Sequence, residues 1–537
     1  MKRIFLLLTL LPIGYMSFSQ TSISAETKMF FNDLKYYNSG YKAGVLFNNE
    51  LTKKYPINKI GVKNYISFVA VVDGKFDQNE LSQYSIIIGS RTGNIITLRI
   101  PMENIDMIDK IKGIKYIQIA GKIAPNLDKA TKDTKVDSVW SGINLPQPFT
   151  GKDVLIGITD WGFDYSNPNF YDTTLSHTRI IKAWDQWRNA GPAPAGYSYG
   201  TEISGETELL QAKCDTFNVY EYAYHGSHVA GICGGSGAGT KYRGVAFEAN
   251  YLMATFLVDE AAVIDAFNWM ADYAQSVDKR LVINMSWGLY YMGSMDGHSL
   301  LSQVIDQLSS EGVIFVASAG NNGDVDFHLK HSFTGSDTLK TQVGFDNYSY
   351  YPKMYGQSVS IWGEPGKDFK AAIKIYGAGN VFIDSTVFFS TNDTTDFRSG
   401  EFIIGTDTIS YTLASDSAEY NSNRPYIRLR IKNLMYSTYK IGLFVTSQSG
   451  TVNLWNVIEL TNDVGNWGSP FFAAMNGWSA GDPYYGVGEP ACANSLIAVA
   501  AYQSEYKLPN NITVGGSIAY FSSYGPALGD ALKPEIS

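Results

Sequence analysis

Three stretches of the chain carry residue types that can move a proton or hold a developing charge. Asp160 closes the apolar run 154–159. His225 heads the heptad His225-Gly226-Ser227-His228-Val229-Ala230-Gly231. Asn321 follows Ala319-Gly320 at the end of the apolar run 313–318. An imidazole titrates near neutrality and can act as a general base, and a carboxylate beside it can fix its tautomer. An amide N–H can donate to an oxyanion. Each residue also has a plain structural reading. A strand-end aspartate is usually a turn or cap, and Ala-Gly-Asn alone is an ordinary turn. His225 and His228, three apart, could ligate a metal, but no third ligand of recognisable spacing follows. The chemistry therefore depends on bringing the three stretches together.

Strands and helices alternate from residue 151 onward, which predicts an α/β domain with a mainly parallel sheet and helices on both faces. Strands are expected at 154–159, 251–256, 282–285 and 313–318, and helices at 226–235, 258–275 and 299–311. Asp160 and Asn321 then sit at the carboxyl ends of strands, where open parallel sheets place their chemistry. Before this region, strand-like runs at 65–72, 86–89, 95–100 and 114–119 alternate with helical patterns at 77–83 and 104–112, a ferredoxin-like β-α-β-β-α-β order. A further helical signature lies near 27–37, and 121–134 reads as a linker. From about 329, short strand-like runs (358–362, 369–375, 381–390, 401–404, 409–413, 426–431, 440–446 and 452–458) are separated by Gly, Asn, Asp and Ser clusters. They predict an all-β sandwich or jelly roll, and the α/β pattern resumes near 486.

Taken in order, Asp160 with Gly162, the His225 heptad and Ala-Gly-Asn at 319–321 resemble the motifs of the subtilisin-like serine peptidases, the subtilases of family S8. The resemblance implies an Asp-His-Ser mechanism with His225 as base, Asp160 as its orienting carboxylate, Asn321 as oxyanion donor and His228 packed inside. Ser286-Trp287-Gly288 is similar to the segment along which subtilases lay an extended peptide, so protein or peptide substrates are implied. The family's nucleophile lies in a Gly-Thr-Ser-Met-Ala-like run downstream of text similar to 521–526. No such run occurs, and Ser522, Ser523 and Ser537 lack that context. These 537 residues are thus expected to stop short of the serine and to be inactive alone. The implied organisation is a signal peptide at 1–20, a propeptide-like domain and linker at 21–128, catalytic segments at 129–328 and 486–537, and a β-sandwich at 329–485 similar to that of Csp-type subtilases. The competing readings are a non-catalytic homologue that binds a protein partner, and a sandwich that binds glycan.

Composition limits the remaining classes. The N-terminus has a basic start, an apolar stretch and a polar exit, as a secretory signal does, and an extracellular or cell-surface protein is expected. No later stretch is long and apolar enough to span a bilayer. A net charge of −9 gives no electrostatic reason to expect nucleic acid as a partner. Three cysteines are no disulfide framework, although Cys214 and Cys233 could pair or remain thiols. No cofactor is expected. Calcium is possible, but no loop spacing assigns a site. His298, His328 and His331 read as loop or surface residues.

Overall fold

The computed structural model describes residues 22–39, 55, 57–60, 63–120, 127–216, 224–290, 293–348, 353–393, 395–461, 467–507 and 513–537. The signal-like segment lies outside the described residues. The chain divides into two compact units, 1–125 and 126–537.

In the first unit the strands Ile114–Ile119, Lys63–Val72, Ile95–Pro101 and Ile87–Thr92 lie side by side in that order, all antiparallel. In chain order this is 4-1-3-2. Their inward residues, among them Phe68, Leu98 and Ile117, pack with Phe30 of the helix Ala25–Ser39 in one core. The helical patterns at 77–83 and 104–112 form tighter 3-10 segments, Gln78–Tyr84 and Met102–Lys110. The second is kinked at Asn104, whose amide donates to the Tyr84 carbonyl at 2.7 Å. Within the expected linker, Leu127–Asp133 is an α-helix.

The second unit contains a seven-stranded sheet. Its order is Ile497–Val499, Ile314–Ser318, Arg280–Met285, Val154–Asp160, Asn250–Thr255, Ile180–Asp185 and Thr201–Ser204, with only the last strand antiparallel. Alternation along each strand supplies two cores. Leu155, Leu252, Ala254 and Phe315 face the helices Glu260–Ser276 and Leu300–Ser310. Ile156, Ile158, Tyr251 and Met253 face the helix His225–Gly234.

Between Ile314–Ser318 and its neighbour Ile497–Val499, the chain builds two antiparallel sheets around one core. Leu329, Val359, Leu429 and Leu454 come from one sheet, and Leu339, Ile373 and Leu443 from the other. The ends of this segment meet in a backbone bridge between His328 and Asp482. Its first strand is His328–Thr334, which begins one residue before the expected boundary at 329. His328 is therefore no surface residue. It is fully buried, with Nδ1 3.0 Å from Asp482 Oδ1 and Nε2 3.1 Å from Asn453 Oδ1. His331 lies on the same strand and bonds Asp337 at 2.8 Å, whereas His298 lies in the loop before Leu300–Ser310. All three cysteines are free thiols.

Candidate active site

The helix His225–Gly234 begins where the strand Val154–Asp160 ends. Helices start with backbone N–H groups that lack intrahelical partners. Here the Gly226 N–H donates to Trp161 O at 2.7 Å and the Ser227 N–H to Gly162 O at 3.2 Å. A side chain at Gly226 would lie 2.8 Å from both the Phe163 ring and Trp161 O, so only glycine admits this approach. Gly226, Ala230 and Gly234 form the buried face of the helix. His228 falls on the opposite face and is exposed, contrary to the inward packing implied by the family pattern.

This docking sets His225 Nδ1 2.6 Å from Asp160 Oδ1. Asp160 is fully buried, and the His225 side chain is 35% exposed. The Asp160 hydrogen bond raises the imidazole above its usual pKa, against burial, which lowers it. Burial pushes the Asp160 carboxyl up, and the bonds from His225 and the Trp161 N–H hold it toward the ionised form. Nε2 of His225 has no hydrogen-bond partner among the described residues, and no serine hydroxyl is bonded to the ring. An imidazole held at Nδ1 by a carboxylate, with Nε2 open, is arranged as a general base.

The turn after Asp160 is braced from below. Asp215 Oδ2 accepts from the Gly162 N–H at 2.9 Å and from Thr255 Oγ1 at 3.0 Å. Burial pushes the Asp215 carboxyl up to about 6.

Register brings the other residues to the same sheet edge. Met285 pairs with Thr159 on one side and Ala317 on the other. Neighbouring strands lie about 4.8 Å apart, so the ends of Ile314–Ser318 and Val154–Asp160 are roughly 10 Å apart across the intervening strand. Ser286, Trp287 and Gly288 line a pocket of about 50 Å³ with Ser318 to Asn321, Tyr290, Gly488 and Glu489. Trp287 Nε1 donates to Thr159 Oγ1 at 3.2 Å, tying that wall to the strand bearing Asp160.

Asn321 is exposed and makes no hydrogen bond among the described residues, so its amide is free to donate. The turn beneath it is rigid. Gly320 has φ +115°, and a Cβ there would lie 2.5 Å from the Tyr290 hydroxyl and 2.6 Å from Ser523 Oγ. The Ser523 N–H donates to Gly320 O at 3.0 Å, and its Oγ accepts from the Asn322 N–H at 3.1 Å. Glu489 sits behind the pocket, 1% exposed, with Oε2 accepting from Ser302 Oγ at 2.9 Å. Burial pushes its carboxyl up to about 7.

Residues to which sequence reading gave no part in the site thus support it: Tyr290, Ser523, Asp215 and Trp161. Ser523 is a buried support of the Asn321 turn. The one available signal was the position of Trp161, between Asp160 and Gly162. Among the described residues no group of three His, Cys, Asp or Glu side chains is placed to hold a metal ion.

The carboxylate–imidazole pair and the exposed amide thus stand at the carboxyl ends of two strands of one parallel sheet, on either side of Arg280–Met285. Residues 151–364 match the model of the subtilase family. The chain is 23% identical over 519 residues to the PII-type proteinase of Lacticaseibacillus paracasei, covering 88% of this chain and 24% of that protein. It is 22% identical over 378 residues to subtilisin J of Geobacillus stearothermophilus, covering 70% and 76%. The chain thus spans about a quarter of the length of the PII-type proteinase. In fold it is similar to the CspB protease of Clostridium perfringens, with a TM-score of 0.54 at 19% identity, covering 76% of this chain and 80% of that one.

Proposed function

We propose that this protein is a secreted endopeptidase that cleaves peptide bonds in proteins by a serine mechanism. Asp160 orients His225, His225 takes the proton from a serine hydroxyl at Nε2, and Asn321 donates to the oxyanion of the tetrahedral intermediate. The 2.6 Å bond between Asp160 and His225, in the segment matched by the family model, carries this reading. Ser286, Trp287 and Gly288 receive the substrate as an added strand, by backbone hydrogen bonds. Trp287 partly fills that wall and sets side-chain preference there.

In this reading the nucleophile is not among these 537 residues, because no described serine is hydrogen-bonded to His225 and no residue run resembles the family's serine motif. The segment 21–128 acts as a propeptide and linker, and 328–485 is a β-sandwich set into the catalytic domain. The separate core of the first unit supports the former, and the bridge between His328 and Asp482 supports the latter. The signal-like residues 1–20 support secretion. The test is casein hydrolysis by the protein as its own cells make it, beside a His225→Ala variant made in the same cells. Hydrolysis that persists in the variant, or that is absent from both, overturns the proposal.

A further inference from the structure

The ring of His225 is held by more than its bond to Asp160. The indole of Trp161 stacks on it, with ring centroids 5.0 Å apart and planes 13° from parallel. That indole is itself fixed from behind. Phe256, 5% exposed, meets it edge-on at 5.7 Å and in turn contacts Trp287 at 5.5 Å. The Trp161 backbone is pinned as well, since its carbonyl accepts from the Gly226 N–H and its N–H donates to Asp160. A single hydrogen bond at Nδ1 leaves an imidazole free to tilt about that bond. A fixed aromatic plane against one face removes this freedom and keeps Nε2 aimed in one direction.

We propose that Trp161 is a positioning residue for His225, its indole fixing the plane of the imidazole and favouring the imidazolium that forms when the base takes a proton. The second effect is a cation over an aromatic face, for which indole is the strongest of the aromatic side chains. The proposal rests on the reading of His225 as the base, but its first test does not depend on peptidase activity. Asp160 is the charged group bonded to the ring among the described residues. Asp215 titrates in a similar range, yet it bonds Gly162 and Thr255, and it is the same in every variant compared.

The experiment is a pH titration of the full chain labelled at histidine carbon, followed by NMR. With six histidines the spectrum is sparse, and a His225→Gln variant assigns the relevant signal. Trp161→Ser is expected to lower the pKa of His225 by about half a unit and to shift its ring signal downfield as the indole ring current is lost. Trp161→Phe, which keeps an aromatic face, is expected to fall between the two. The other five histidines report whether the fold is intact. In the protein as its cells make it, Trp161→Ser is expected to lower kcat roughly ten- to a hundredfold with little change in KM. An unchanged pKa and ring signal in both variants, with the other histidines undisturbed, overturns the proposal. A normal shift in a protein without peptidase activity overturns the function above and leaves the positioning role standing.

Discussion

Glu489→Gln offers a stability test of the site's foundations. Glu489 is fully enclosed behind the pocket, bonded to Ser302 and close to the carboxylate of Asp296. Its backbone forms a two-way bridge with Leu289, so it steadies the segment that follows Ser286 to Gly288. Burial raises its pKa from 4.5 to about 7. The folded state therefore keeps a proton that the unfolded chain releases above about 4.5. Stability falls as pH rises from about 4.5 to about 7 and is flat beyond, by linkage. A separation of this size corresponds to about 3 kcal/mol at 1.36 kcal/mol per pH unit. Glutamine keeps the shape and can accept the Ser302 bond, but has no proton to lose. The variant is expected to match the parent near pH 4.5 and to exceed it by up to about 3 kcal/mol at pH 8. Guanidinium unfolding followed by tryptophan fluorescence measures this, because all ten tryptophans lie within 126–537 and report that unit alone. An equal stability difference at pH 4.5 and pH 8 would refute the assignment of a proton to buried Glu489.

His225→Ala should cost more stability at pH 5 than at pH 8. The folded pKa of His225 is raised, so its pairing with Asp160 contributes fully below about 6.5 and fades as pH rises through the folded value, which unfolding at the two pH values would reveal. Gly320→Ala meets Tyr290 and Ser523 and requires φ +115° of a residue with a Cβ, so a loss of roughly 1–3 kcal/mol is expected in the same assay. Asn321→Ala should leave stability within about 0.5 kcal/mol, since the side chain is exposed and makes no hydrogen bond in the described protein, yet reduce turnover of the active protein about 10²- to 10³-fold.

The strands that carry the site were legible because each is a continuous apolar run ended by a polar residue. The expected 154–159 and 313–318 differ from Val154–Asp160 and Ile314–Ser318 by one residue at one end. Ile180–Asp185 and Thr201–Ser204 were not legible. Both lie at or near the sheet edge and carry charged residues, Lys182 and Glu202, which pair with each other at 2.6 Å. The facing of His228 could have been read from Gly226, Ala230 and Gly234, which mark the buried side at spacings of four. His328 was misread for a different reason. A buried histidine is satisfied by Asp482 and Asn453, 154 and 125 residues away, and no local pattern announces such partners. Ser523 is similar, since the Asn322 backbone it supports lies 201 residues away.

The central claim is that Asp160 and His225 activate a serine hydroxyl. Its most direct test is labelling by a serine-directed fluorophosphonate probe, which reacts only with a hydroxyl that a base has activated. The protein as its own cells make it should label, and the His225→Ala and Asp160→Ala variants should not. Residues 1–537 expressed alone should stay unlabelled. Labelling of the 537-residue chain that vanishes with His225→Ala would place the nucleophile within it. A native protein that never labels would contradict the serine mechanism itself.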